Sequence, residues 1–185
     1  MNSQLWWYAA RANGLMAWAL LGASVLWGLA LSTKVFGRNP RPAWLLDLHR
    51  FLGAAALIFT GIHVITIMLD SYVHFGLVEV LVPFTGSWHP VAIAWGIAGM
   101  YLLAAIEVTS LLRRRISKRV WRATHYASFP LFALTTVHAL WAGTDRHNPA
   151  MRLGMLGVTS GVLALTAARI HKANDGGVMG FRPAG

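Results

Sequence analysis

Apolar residues run along this chain in five long blocks, at about 14–33, 48–69, 90–112, 121–141 and 153–170, and the short stretches between them hold most of the charge. Each block approaches the roughly 20 residues that a helix needs to cross a hydrocarbon layer of about 30 Å. No alternation of apolar and polar positions marks a membrane β-barrel, and backbone in lipid must satisfy its own hydrogen bonds, so the blocks predict helices. The expected fold is an all-α membrane protein, a bundle of five transmembrane helices. Residues 1–172 form the expected membrane domain, and the glycine-rich stretch 173–185 a short flexible cytoplasmic tail.

Composition agrees with a membrane setting. The chain has 185 residues, 56% of them hydrophobic and 12% charged, whereas a soluble domain is about a quarter charged. Its net charge of +10 raises the possibility of nucleic acid, but the placement of the charge argues for topology instead. Thirteen of the sixteen basic residues fall in three regions: Lys34, Arg38, Arg41 and Arg50; the run Arg113 to Arg122; and Arg169, Lys172 and Arg182. The long loop 70–89 carries Asp70 and Glu79 with no Lys or Arg. The positive-inside rule therefore predicts an outer N-terminus, a cytoplasmic 113–122 loop and a cytoplasmic C-terminus. The basic loop is expected against anionic lipid, and no nucleic acid partner is expected. The opening MNSQLWWYAARANG lacks a basic n-region and leads into a full-length span, which predicts no cleaved signal peptide and a place in a bacterial-type inner membrane.

The polar residues inside the apolar blocks then stand out. In LHRFLGAAALIFTGIHV, His49 and His63 lie fourteen residues apart, and in THYASFPLFALTTVH, His125 and His138 lie thirteen apart. Fourteen residues leave the first two only about 40° apart around a helix, on one face. Thirteen leave the second two about 140° apart, which gives no single face, and Pro130 between them predicts a kink or local unwinding, one way to re-aim a ring. Both spans run in the same direction, so His49 and His125 share one depth and His63 and His138 another. A buried imidazole without a partner costs a few kcal/mol. A planar haem clamped axially by two neutral imidazoles satisfies both rings and leaves no open coordination position, which suits electron transfer. With no cysteine in the chain, a haem or metal must be held by histidine, methionine or oxygen. A single membrane histidine is more simply read as an interhelical hydrogen bond; four at paired depths point to two stacked haems.

These residues carry a resemblance. LHRFLG with GIH in one span and WRATHY with TTVHAL in the other, together with the two spacings, resemble the ferric reductase-like transmembrane domain family. That family is the membrane core shared by ferric reductases, NADPH oxidases and the haem-bearing membrane partner of periplasmic methionine sulfoxide reductase. The resemblance covers about 48–141. It implies that His49 and His125 hold an inner haem b and that His63 and His138 hold an outer one. Two departures stand beside it: no soluble flavin and nicotinamide domain follows the last block, and the extra first helix of the oxidases is missing.

The expected function is therefore a transmembrane cytochrome b. It would take electrons from a separate flavin-containing NAD(P)H reductase on the cytoplasmic side and pass them to a periplasmic or extracellular acceptor. Quinol is the alternative donor, and a non-redox transporter that uses the histidines for a metal or protons is the alternative of another class. Arg50 and Arg122 flank the inner histidines, as haem-propionate partners or as topology charges. Glu107 is expected to pair with Arg113 or Arg114 by snorkelling. His74 and His89 are expected as solvated loop residues, His147 and His171 as surface residues. Trp6, Trp7, Trp88, Trp121 and Trp141 are expected as interface anchors.

Overall fold

A computed structural model describes residues 3–33, 43–71 and 73–178. Among them the helices are α1 (Ser3–Thr33), α2 (Ala43–Leu69), the short α3 (Leu77–Leu81), α4 (Pro90–Leu111), α5 (Lys118–Tyr126), α6 (Ser128–Ala142) and α7 (Pro149–Val178), with a 3-10 turn at Thr144–His147 before α7. No strand occurs among the described residues. Lys34, Arg38 and Arg41 of the first basic stretch and Arg182 of the tail lie outside them. The first residues of the expected tail continue α7 as far as Val178.

Among the described residues, four helical stretches are long and apolar enough to cross a membrane: Gln4–Ser32, Ala43–Leu69, Pro90–Leu111 and Pro149–Lys172. The protein is a multi-pass membrane protein. Its outward faces are apolar, with Phe51, Ile58 and Ile65 of α2 and Leu153, Leu156 and Leu163 of α7 all exposed. In water such a surface would be an aggregation hazard; in lipid it is the side that meets acyl chains.

The block expected to cross as one helix over 121–141 is two helices that meet at Ala127. Pro130 has no N–H for the Tyr126 carbonyl and its ring crowds that carbonyl, so the regular ladder cannot pass through. At the break the Ala127 N–H bonds the Thr124 carbonyl, three residues back, at 3.0 Å. Local sequence fixes the helix starts. Ser117 accepts the Val120 N–H at 3.2 Å to cap α5, and Asn148 accepts the Ala150 N–H at 2.9 Å to cap α7.

Helix α1 is central, packed against α2, α6 and α7. Its Trp18, Leu21, Val25 and Leu29 join Leu103 and Ile106 of α4, Leu131 and Phe132 of α6, and Met155 and Val162 of α7 in the core. Trp18 stacks on Phe132 with centroids 6.1 Å apart and donates its indole N–H to the Thr136 hydroxyl at 2.9 Å. Ala56 of the same cluster lies between His49 and His63 on α2, and Leu131 and Phe132 lie between His125 and His138, so the packed layer stands between the two histidine levels.

Candidate functional site

The four histidines come together in two pairs. The His49 and His125 rings have centroids 6.0 Å apart at an interplanar angle of 77°, and the His63 and His138 rings 6.4 Å apart at 76°. The helix break at Ala127 lies between His125 and His138, so the ideal-helix angle does not apply across them.

Three of the rings are fixed from behind by the backbone of a neighbouring helix. His63 Nδ1 lies 2.7 Å from the Ala10 carbonyl oxygen, His138 Nδ1 lies 2.8 Å from that of Ala92, and His49 Nδ1 lies 3.1 Å from that of Ser24. A carbonyl only accepts, so Nδ1 of His63 and of His138 carries the proton and donates it; His49 Nδ1 also lies 3.3 Å from the Ser24 hydroxyl, and donation to the nearer Ser24 carbonyl gives it the same tautomer. That leaves Nε2 as the nitrogen with a free lone pair, the tautomer that a metal-ligating histidine needs. His125 is held differently. Its Nδ1 is buried without a hydrogen-bond partner among the described residues, and its ring stacks on Trp121, centroids 5.0 Å apart and planes 20° apart. Arg113 lies over the other ring in turn, its guanidinium carbon 5.4 Å from the Trp121 centroid. Trp121 is thus part of the site and not simply an interface anchor. The sequence signal for this was its place one helical turn before His125.

A cavity of about 220 Å³ opens beside the His63 and His138 rings, walled by apolar groups that include Leu21, Val64, Ile67, Met100 and Leu103. At its rim Arg11 and Asp145 form an ion pair, with Arg11 Nε donating to Asp145 Oδ2 at 3.0 Å. Asp70, also lining the cavity, is buried at 7% exposure.

Arg50 is exposed and donates to Asp47 at 3.1 Å, and Arg122 lines an exposed groove with Lys118, Arg119 and Tyr126. Glu107 does not pair with Arg113 or Arg114: the ion pairs among the described residues are Arg11 with Asp145 and Arg50 with Asp47. Its carboxylate instead packs against Gly53 on α2, where the missing side chain makes room for it. His74 and His89 sit in left-handed backbone of the 70–89 loop, at φ 45° and 42°, and His147 accepts from Arg146 Nε at 3.1 Å.

No group of three or more His, Cys, Asp or Glu side chains that could hold a metal ion exists among the described residues. Each ring pair by itself supplies two nitrogens, fewer than the four to six donors that a bare first-row ion takes.

Comparison with protein families decides the class of protein at this point. The family described as ferric reductase like transmembrane component matches residues 13–136. The chain belongs to that family. Comparison with curated proteins and with solved structures gave no match. The match takes in most of α1, which supplies the Ser24 carbonyl and Gly14, although the sequence motifs alone begin at Leu48. Three of the four histidines fall inside it and His138 lies two residues beyond its end. As a ferric reductase-like transmembrane component, the protein has a membrane electron-transfer role.

Proposed function

We propose that this ferric reductase-like component is a cytochrome b of the inner membrane that carries electrons one at a time from a cytoplasmic donor to an acceptor at the outer face. His49 and His125 hold one haem b and His63 and His138 a second. The observation that carries this reading is the ring separation. Two metal–imidazole bonds of about 2 Å each, with the half-widths of two rings, span roughly 6 Å, and the two pairs stand at 6.0 and 6.4 Å. Bound haem supplies the one-electron iron couple. The residues of the chain supply orientation and exclusion. The Ala10, Ser24 and Ala92 carbonyls hold Nε2 of three rings toward the pair axis, and the apolar walls keep water from the metal.

In this reading α5 and α6 cross the membrane together, so that the chain has five crossings, with the N-terminus outside and the C-terminus in the cytoplasm. The His49/His125 end is then the cytoplasmic one, beside the basic 113–122 run. Its donor is a separate flavin-containing NAD(P)H reductase or a quinol. Arg50 and Arg122 belong to that end, as partners for propionates or as charges facing anionic lipid. The metal-carrying form of the non-redox transporter loses ground because, among the described residues, neither pair gathers a third His, Cys, Asp or Glu ligand for a bare metal.

Haem quantification of the purified protein, with a dithionite-reduced minus oxidised spectrum, tests the reading. Close to two haems b per chain, both six-coordinate and low-spin, is the expected result. A colourless preparation that takes up no added haem would refute it.

A further inference from the structure

Each of the three carbonyls that receives an imidazole has a glycine four residues later. Ala10 is followed by Gly14 in ARANG, Ser24 by Gly28 in SVLWG, and Ala92 by Gly96 in AIAWG. Within a helix the carbonyl of residue i points toward residue i+4, so a side chain there stands beside any group that approaches that oxygen from the flank. The ring occupies that space in all three cases. A β-carbon at residue 14 would lie 2.9 Å from His63 Nδ1 and Cε1, one at residue 96 would lie 2.7 Å from the same atoms of His138, and one at residue 28 would lie 3.1 Å from His49 Cε1. The first two are closer than van der Waals contact permits.

The arrangement repeats with the helix register. Ala10 and Ser24 are fourteen residues apart, as are Gly14 and Gly28, and so are His63 and His49 on the antiparallel α2. One register therefore serves both ends of the α1–α2 pair. On α4 the device occurs once. Thirteen and fourteen residues beyond Ala92 the carbonyls of Ala105 and Ile106 are taken by the Thr109 hydroxyl, at 2.7 and 3.1 Å. Thr109 and Ser110 stand where a second glycine would be needed. His125, the ring without a hydrogen bond at Nδ1, belongs to this end.

We infer that Gly14, Gly28 and Gly96, each with the carbonyl four residues before it, are positioning residues that lock His63, His49 and His138 in the Nδ1–H tautomer with Nε2 presented to a haem iron, and that His125 has no such lock. The inference rests on the proposed haem function for its purpose, and on the hydrogen bonds and close approaches for its substance. A methyl group at any of the three positions pushes the ring off its carbonyl. The Nδ1–H then loses its acceptor, and the ligand loses both its fixed orientation and the added basicity that the bond confers.

The test uses the full chain and the variants Gly14→Ala, Gly28→Ala, Gly96→Ala and Gly22→Ala. Gly22 is the control, because a β-carbon there would meet Val158 Cγ1 at 2.8 Å, a clash as tight but with no histidine involved. Two readouts are taken: nitrogen NMR of the ring tautomers in haem-free protein, assigned with single His→Gln variants, and haem affinity resolved by site. Gly14→Ala should disturb the His63 tautomer alone, and Gly96→Ala that of His138 alone. Each should weaken haem binding at their shared site about 10- to 100-fold, the range for lost outer-sphere partners of metal ligands. Gly28→Ala should act on His49 and the other site, and Gly22→Ala on neither. Equal effects from Gly22→Ala and Gly14→Ala would overturn the inference, as would Nε2–H tautomers at His63 and His138 in the unaltered chain. An unaltered chain that takes up no haem would overturn the proposed function instead, and the tautomer measurement would still decide the role of the glycines.

Discussion

His63 donates its Nδ1–H to the Ala10 carbonyl at 2.7 Å, while across the cavity its ring faces that of His138 at 6.4 Å. One side of the imidazole is tied to backbone and the other is left with a lone pair and space for a planar ligand. Buried histidines that served only to join helices would point their free nitrogens at each other or at a hydroxyl. These stand too far apart for a direct hydrogen bond between rings and too regularly spaced for a packing accident.

The pairing gives the first prediction. His63→Ala and His138→Ala should each abolish the same haem spectral component, and His49→Ala and His125→Ala the other, as measured by reduced-minus-oxidised spectra of each variant. Matching losses from His63→Ala and His49→Ala would break the assignment.

The unequal support of the four rings gives a second. His125 relies on stacking against Trp121, with no hydrogen bond at Nδ1. A small exogenous ligand such as carbon monoxide should therefore displace it first and bind the reduced His49/His125 haem in preference to the other. Trp121→Ala should increase that binding several-fold. Carbon monoxide difference spectra resolve the two sites, and preferential binding at His63/His138 would count against the argument.

Pro130 provides a third. With alanine in its place the Tyr126 carbonyl can accept a helical N–H again, α5 and α6 can fuse, and His125 swings by a large fraction of a turn relative to His138. Pro130→Ala should keep the His63/His138 component and lose the His49/His125 one. Retention of both in stoichiometric amounts would show that the break at Ala127 is not what aims the ring.

The Arg11–Asp145 pair ties α1 to the turn before α7 at the rim of the cavity, with side chains 33% and 19% exposed. Such partly exposed pairs contribute roughly 1 kcal/mol or less. Arg11→Ala and Asp145→Ala should each lower the thermal midpoint in detergent by a few degrees, and the double variant should fall no further than the worse single one. Additive losses in that double-mutant cycle would mean that the two side chains act independently.

A fifth prediction concerns the groove of Lys118, Arg119 and Arg122. If an acidic reductase docks there, the rate of haem reduction by that partner should fall as salt shortens the Debye length to about 8 Å and below. Arg119→Glu should lower the rate at low salt and flatten the salt dependence in stopped-flow measurements. A rate indifferent to both changes would point to quinol as the donor.

Much of this protein was legible in its residues. Hydrophobic blocks of spanning length and the two histidine spacings are local properties, set by the bilayer thickness and the helical repeat, so the membrane class, the four histidines and their sharing of two depths follow from the sequence alone. Pro130 announced a break for the same local reason, although not that it would divide one block into α5 and α6. Tertiary structure decided which backbone carbonyl receives each ring, and hence which nitrogen stays free. Every residue owns a carbonyl, so the choice of Ala10, Ser24 and Ala92 leaves no mark on composition and depends on the register between helices. It likewise stacked Trp121 on His125 and set Glu107 against Gly53 instead of an arginine. Those outcomes depend on how far apart and at what rotation two helices pack, quantities that no single helix contains.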